Sequence, residues 1–297
     1  DPGRKFSAWD IAYHFEEYQH PITMTSPWKM VANGNLFAVL RSEWQVLNST
    51  IQQEMWLYKD NPRIDFHTTA NWQDSRKLLK VAFPLNIRTR TATYDLPFGN
   101  IERPTHRNTS WEQAKFEVCG HKWADLSEGN YGVALLNDCK YGYDAKENVL
   151  RLSLLRSPVR PDPTSDIGDH EFIYSLLPHA GNWRQAGVDR HAYELNIPVH
   201  VVRADSTGEG SIPRRFSLMD LDAPSVIVEA VKQPEEGEGL ILRAFDNHGS
   251  HVRADLDIKT PIKSIENVNL LEEKPIQMEG MQVSFSPYEI KTLRVTL

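Results

Sequence analysis

An antiparallel all-β protein is what this sequence predicts, on three observations. Short runs rich in Ile, Val, Thr, Tyr, Phe and Trp recur along the chain, each a few to about ten residues long. They stop at Gly, Pro or Asn, the residues that suit turns. Helical periodicity is nearly absent.

Taken in order, strands are expected at residues 36–40, 49–58, 63–69, 78–84, 92–96, 115–121, 132–137, 150–155 and 171–177. The run from Ile64 shows the period of two: Ile64, Phe66 and Thr68 fall on one side, Asp65, His67 and Thr69 on the other, so one face should be buried and the other wet. Residues 188–195 are the one clear helical stretch, with Asp189 near its positive end and Pro198 forbidding much continuation; residues 110–115 are too short to count as a second. Three prolines and a glycine between 158 and 169 mark a long connection between two strands. The small, polar residues 204–213 read as a linker. Beyond them, expected strands at 226–232, 239–246, 251–258, 262–268, 281–285 and 289–295 are evenly spaced, as in a small β-sandwich of about 80 residues. The expected domains are 1–212 and 213–297.

Composition narrows the function classes. With 40% hydrophobic and 25% charged residues the chain is an ordinary globular one. A net charge of -7 and a pI near 5.9 argue against nucleic acid as a partner, since no segment gathers the Lys and Arg that phosphates require. No run approaches the roughly 20 apolar residues of a membrane span. The cysteines, Cys119 and Cys139, are too few and too far apart for a disulfide framework or a zinc knuckle, so buried free thiols and a cytoplasmic setting are expected. The acceptor patterns at Asn48 and Asn108 are read as chance matches. The chain opens on Asp1 without an initiator Met and is expected to be a piece of something longer.

The most informative stretches are Gly120-His121-Lys122-Trp123-Ala124-Asp125-Leu126-Ser127-Glu128 and Tyr131 to Asp144, which set aromatic residues, His and carboxylates around strand-like runs. Aromatic faces stack on the C–H groups of a pyranose while carboxylates and amides bond its hydroxyls, so the mixture suits a sugar-contacting surface. Together with Tyr94 to Asn108, Arg151 to Pro158 and His170 to His179, these stretches resemble the carboxy-terminal half of the alpha-mannosidases of glycoside hydrolase family 38, close to the cytosolic and bacterial branch. That resemblance implies a large antiparallel β-supersandwich, galactose mutarotase-like, followed by a small β-sandwich. It implies retaining hydrolysis of alpha-mannosides by two carboxyl groups, with a zinc ion gripping sugar hydroxyls. The family's zinc ligands, two His and two Asp, belong to segments expected to precede residue 1, so no catalytic or metal role carries over and no cofactor is expected in this fragment.

What the resemblance leaves to this chain is contact with substrate. The candidates are Tyr141, Tyr143, Asp144, His179, His106, Arg107, Trp123 and Asp125. The plainer alternative is that Asp125 caps a turn and that Trp123 and His121, two apart on one strand face, are ordinary packing. Asp10, Glu16 and Glu17 near His14 and His20 read as solvated charge, and His248 with His251 as a turn. The expected partners are the amino-terminal catalytic domain of the same enzyme and an alpha-mannoside or oligosaccharide, with a homo-oligomer also open. The isolated fragment is expected to be inactive. One rival reading is a carbohydrate-binding or oligomerisation module; another keeps catalysis in the chain, with Asp125 and Asp144 as an acid/base pair.

Overall fold

The structure, a computed structural model, describes residues 7–203, 213 and 215–297. Most of the linker expected at 204–213 therefore lies outside the described residues. The chain divides into two compact units: Asp1–Leu96 with Ile101–Pro198, and Pro97–Asn100 with Val199–Leu297.

The first unit follows the strands β1 (Thr23–Asn33), β2 (Phe37–Val46), β3 (Ser49–Tyr58), β4 (Ile64–Trp72), β5 (Leu79–Pro84), β6 (Thr91–Leu96), β7 (Gly99–Pro104), β8 (Val118–Cys119), β9 (Trp123–Ser127), β10 (Tyr131–Asn137), β11 (Gly142–Lys146), β12 (Val149–Leu155) and β13 (Gly168–Ala180). Among the described residues the unit has three short α-helices, α1 (Ser110–Ala114) between β7 and β8, and α2 (Trp183–Ala186) and α3 (Val188–Asn196) after β13. Nine strands form one sheet in the order β1-β2-β3-β4-β13-β10-β9-β6-β7, and four form a second in the order β5-β12-β11-β8. The ladders from β1 through β6 in the large sheet, and those of the small sheet, are antiparallel.

The two sheets enclose one core. Phe66, Tyr174, Leu126 and Leu135 come from the large sheet, and Tyr143, Leu150 and Leu152 from the small one. Rings meet across the gap, Phe66 with Phe83 at 6.1 Å and Tyr94 edge-on to Tyr143 at 6.0 Å, in the tilted geometries that aromatic quadrupoles favour. On the opposite face of the large sheet, Trp123, Leu136 and Leu177 bury Trp183, Val188 and Ala192 of α2 and α3. Gly187, in the left-handed conformation at φ 64°, lets α2 stop and α3 start within one residue.

The second unit holds β14 (Met219–Asp222), β15 (Val226–Lys232), β16 (Leu240–Asp246), β17 (Val252–Ile258), β18 (Ser264–Val268), β19 (Ile276–Gln277), β20 (Gln282–Phe285) and β21 (Ile290–Thr296). They form a three-stranded sheet, β14-β17-β20, and a five-stranded one, β15-β16-β21-β18-β19. Leu242, Val283, Phe285 and Leu293 from the two sheets share its core. The protein is all-β, as expected.

Several expectations need correction. The stretch 115–121 pairs only at Val118–Cys119, and β1, β7, β9, β11, β14 and β19 were not foreseen. Residues 110–115 do contain a helix, held by a capping box in which the Thr109 hydroxyl accepts from Glu112 N–H and the Glu112 carboxylate accepts from Thr109 N–H. The supposedly wet side of β4 begins with a buried charge: Asp65 accepts from Arg63 Nε at 2.7 Å, Tyr58 hydroxyl at 2.8 Å and Ser175 Oγ at 2.7 Å. Asp65 and burial together push the Tyr58 hydroxyl up to about 12, burial contributing most. Cys119 and Cys139 are free but exposed, not buried.

Candidate functional site

Asp125 and His179 come together through a strand that separates them. Asp125 lies on β9 and His179 on β13, with β10 between; Gly132 of β10 pairs with both His179 and Ser127. Because Gly132 has no side chain, His179 Nε2 reaches over it to donate to Asp125 Oδ2 at 2.7 Å, and Ser127 Oγ donates to Asp125 Oδ1. A Cβ on Gly132 would stand 2.3 Å from His179 Cε1 and 2.6 Å from Ser127 Oγ. Asp125 is 2% exposed, so this is a closed polar joint in which each acceptor oxygen has a donor.

Asp144 belongs to a different sheet and a different cluster. On β11 it pairs with Arg151 of β12, whose Nη2 and Nε lie 2.7 Å from Asp144 Oδ1, while Lys80 Nζ of β5 lies 2.8 Å from Oδ2. Lys80 also contacts Glu117 Oε2 at 2.5 Å and Ser153 Oγ at 2.8 Å. Gly142 leaves the room that Glu117 occupies, since a Cβ there would meet Glu117 Oε1 at 2.5 Å. Burial pushes the Glu117 carboxyl up, against the pull of Lys80. From the amino-terminal side, Glu16 pairs with Arg151, and Arg107 and Lys146 stand within 4.0 Å of it. Burial raises the Glu16 carboxyl, but the Arg151 hydrogen bond and charge, with Arg107 and Lys146, outweigh it and hold the group below its ordinary range. The Phe15 ring lies beneath Lys80 and Arg151 at 5.7 and 5.9 Å from their charges.

The remaining candidates divide by exposure. Trp123 is 1% exposed, with its ring 4.8 Å from that of Trp183, and Tyr143 is fully buried. Tyr143 donates to His121 O at 3.2 Å and accepts from Asn137 Nδ2, and burial holds its hydroxyl well above the usual range. Neither presents a face to solvent. Tyr141 does, at 57% exposure, with its ring edge-on to His121 at 5.0 Å. Burial, then the charge of Lys122, lowers the His121 ring, so it is neutral at physiological pH. His106 Nδ1 lies 3.2 Å from Glu112 Oε2, and Arg107 donates to Phe116 O at 3.5 Å. The space bounded by Tyr94, Arg103, His106, Arg107 and Asp144 is about 10 Å³, room for a water and not for a sugar. A larger cavity of about 550 Å³ lies between the 11–22 segment and β5, lined by His14, Tyr18, Lys80 and Arg151 among others.

Sequence reasoning missed Lys80, Glu117, Arg151 and Gly132. For Gly132 there was a signal, an isolated glycine inside an apolar strand, which marks a close approach of neighbouring groups. No group of three or more His, Cys, Asp or Glu is gathered to hold a metal among the described residues.

The fold is thus that of two β-sandwich units, the first carrying buried polar joints, and comparison with known proteins identifies the family. A family model described as "Glycosyl hydrolases family 38 C-terminal domain" matches residues 1–164, and one described as "Glycosyl hydrolases family 38 C-terminal beta sandwich domain" matches residues 225–293. The chain belongs to glycosyl hydrolase family 38 and corresponds to its carboxy-terminal region. It is 39% identical to "Alpha-mannosidase 2C1" of Mus musculus over 98% of this chain and 29% of that protein, and 36% identical to "Alpha-mannosidase G" of Dictyostelium discoideum over 90% of this chain and 26% of that one. The chain thus spans less than a third of the length of these curated relatives. A solved alpha-mannosidase of Enterococcus faecalis V583 shares the fold, with a TM-score of 0.79 at 19% identity over 91% of this chain and 35% of the other.

Proposed function

We propose that the chain is the carboxy-terminal part of an alpha-mannosidase that hydrolyses terminal alpha-mannosides with retention, and that it supports a catalytic domain encoded elsewhere in the same polypeptide. The observation that carries this reading is the pair of family matches, in family order, along a chain that aligns over 98% of its length with an alpha-mannosidase more than three times as long. Its carboxylates agree with a supporting role. A retaining pair stands about 5 Å apart across the sugar, one carboxyl free to attack and one to protonate. Here Asp125 is bound by His179 and Ser127 in the large sheet, and Asp144 by Arg151 and Lys80 in the small one, so neither is free for chemistry.

In this reading the nucleophile, the acid/base and the zinc ligands belong to the catalytic domain. The zinc would supply a grip on sugar hydroxyls there. Exposed Tyr141, with His121 behind it, is the residue here suited to face substrate. Two unpaired, exposed thiols favour a reducing compartment, and we assign the enzyme to the cytoplasm. The test is hydrolysis of nitrophenyl alpha-mannoside by the full-length polypeptide, by the same polypeptide lacking this region, and by this chain alone. The expected result is turnover by the first and none by the last. Turnover by this chain alone, or a full-length polypeptide inert on alpha-mannosides, sinks the proposal.

A second reading, a sugar-binding module, draws on the 550 Å³ cavity, which falls in the size range of small-ligand sites and carries Lys80 and Arg151 among apolar neighbours. Calorimetric titration of this chain with mannose tests it, and a flat titration at millimolar sugar removes it.

A further inference from the structure

We propose that β1 and the segment leading into it, residues 9–37, form the face on which the rest of the longer polypeptide docks; this rests on the reading that the chain is one part of a longer alpha-mannosidase. The geometry starts from a mismatch. At about 4.8 Å per strand, nine strands span roughly 38 Å while four span roughly 14 Å, so the small sheet leaves more than half of the large one uncovered. At the β1 end neither face is covered: no residue from Pro21 to Ala38 is buried.

Many of the uncovered residues are large and apolar, with Thr23, Thr25, Lys29, Asn33 and Asn35 exposed among them. Tyr18 is 78% exposed, Leu36 72%, Met30 60%, Val31 47%, Ile22 42% and Met24 41%. Lys29 is the only charged residue from Pro21 to Leu40, in a chain that is 25% charged. A free sheet edge in water is normally guarded by several charges, and large apolar side chains left exposed together in one segment point to an interaction surface.

The backbone says how the partner binds. β1 is the edge strand, and the chain has blunted it: Pro27 removes an N–H, and the register with β2 shifts between Met24 and Ser26, between Ser26 and Lys29, and between Met30 and Ala32. An interrupted ladder does not template another strand. The occupant therefore packs apolar side chains against β1 instead of extending the sheet. The relatives supply a source for it, since more than two thirds of their length lies outside the region that this chain matches.

The experiment places a thiol on the face. Met30→Cys and, separately, Leu36→Cys are introduced into this chain and into the full-length polypeptide, and maleimide labelling of each position is followed by peptide mass spectrometry against the denatured rate. Both substitutions are at exposed positions, so folding is retained. Labelling at least tenfold slower in the full-length polypeptide than in the chain alone is expected at both positions. Equal rates overturn the docking face. Slow labelling already in the chain alone, with elution as a dimer, overturns it in favour of a second copy as the occupant. Activity on nitrophenyl alpha-mannoside is read in the same full-length samples: an active enzyme with an open thiol removes the docking face and leaves the functional reading standing, while an inert enzyme with a protected thiol does the reverse.

Discussion

A hydrogen atom where every other residue carries a carbon decides what Asp125 can touch. With Gly132→Ala the new methyl must displace His179 or Ser127, and overpacking of this kind costs about 1–3 kcal/mol, read as a lower urea midpoint. Adding His179→Ala removes the atom that is struck, so the double variant should lose less than the sum of the two single ones, a coupling that a double-mutant cycle measures. Asp144 responds to a different physics. Asp144→Ala leaves Arg151 and Lys80 facing each other without their shared carboxylate, and stripping one partner from a buried ion pair costs about 3–5 kcal/mol. Little of this was legible beforehand. Local sequence shows that Asp125, Asp144, Trp123 and Tyr143 are chemistry-bearing, but whether each points into a core depends on which strands pair, and β9 and β11 are too short to announce their own register.

Among the elements, the strands that were readable are those with dense β-branched and aromatic content between clear turns: Ser49–Tyr58 and Val226–Lys232 have the expected ends. β1 was not readable, because Pro27, Asn33 and a lack of alternation hide an edge strand from any pattern of period two. The helix at Val188–Asn196 announced itself, but what it packs on did not. Trp183→Ala empties the pocket between α2 and the sheet beside Trp123; it should cost about 3–5 kcal/mol and speed amide exchange across α2 and α3 before the rest of the unit. The 11–22 segment is tied down by charge, and its pH response has a sign. Glu16 titrates below its ordinary 4.5 in the folded chain, so the stability it contributes is present above that value and disappears as pH falls through the lower folded one. Glu117, raised by burial, works in the opposite sense: its contribution is present below the ordinary value and fades as pH rises. Between pH 7 and pH 3, Glu16→Gln should lose less stability than the parent by about 1 kcal/mol, the scale of a partly exposed ion pair, measured from urea midpoints at both pH values.

For the molecule as a whole, fold class was legible from composition and punctuation alone, and family from a few verbatim stretches such as Gly120 to Asp144. The site was less legible, since a fold does not carry its function with it and Asp125 and Asp144, candidates alike in the sequence, sit in two different sheets with separate partners. Glu16 and Arg151, the pair that pins the amino-terminal segment, are 135 positions apart. A ribosome working at about 5–20 residues per second needs roughly 7–27 s to bridge that gap. For that interval Tyr13 and Phe15 are made while Arg151 and β12 are still unwritten, so this early aromatic stretch waits for half of the chain before its ion pair can close, and a nascent-chain chaperone has that window in which to hold it.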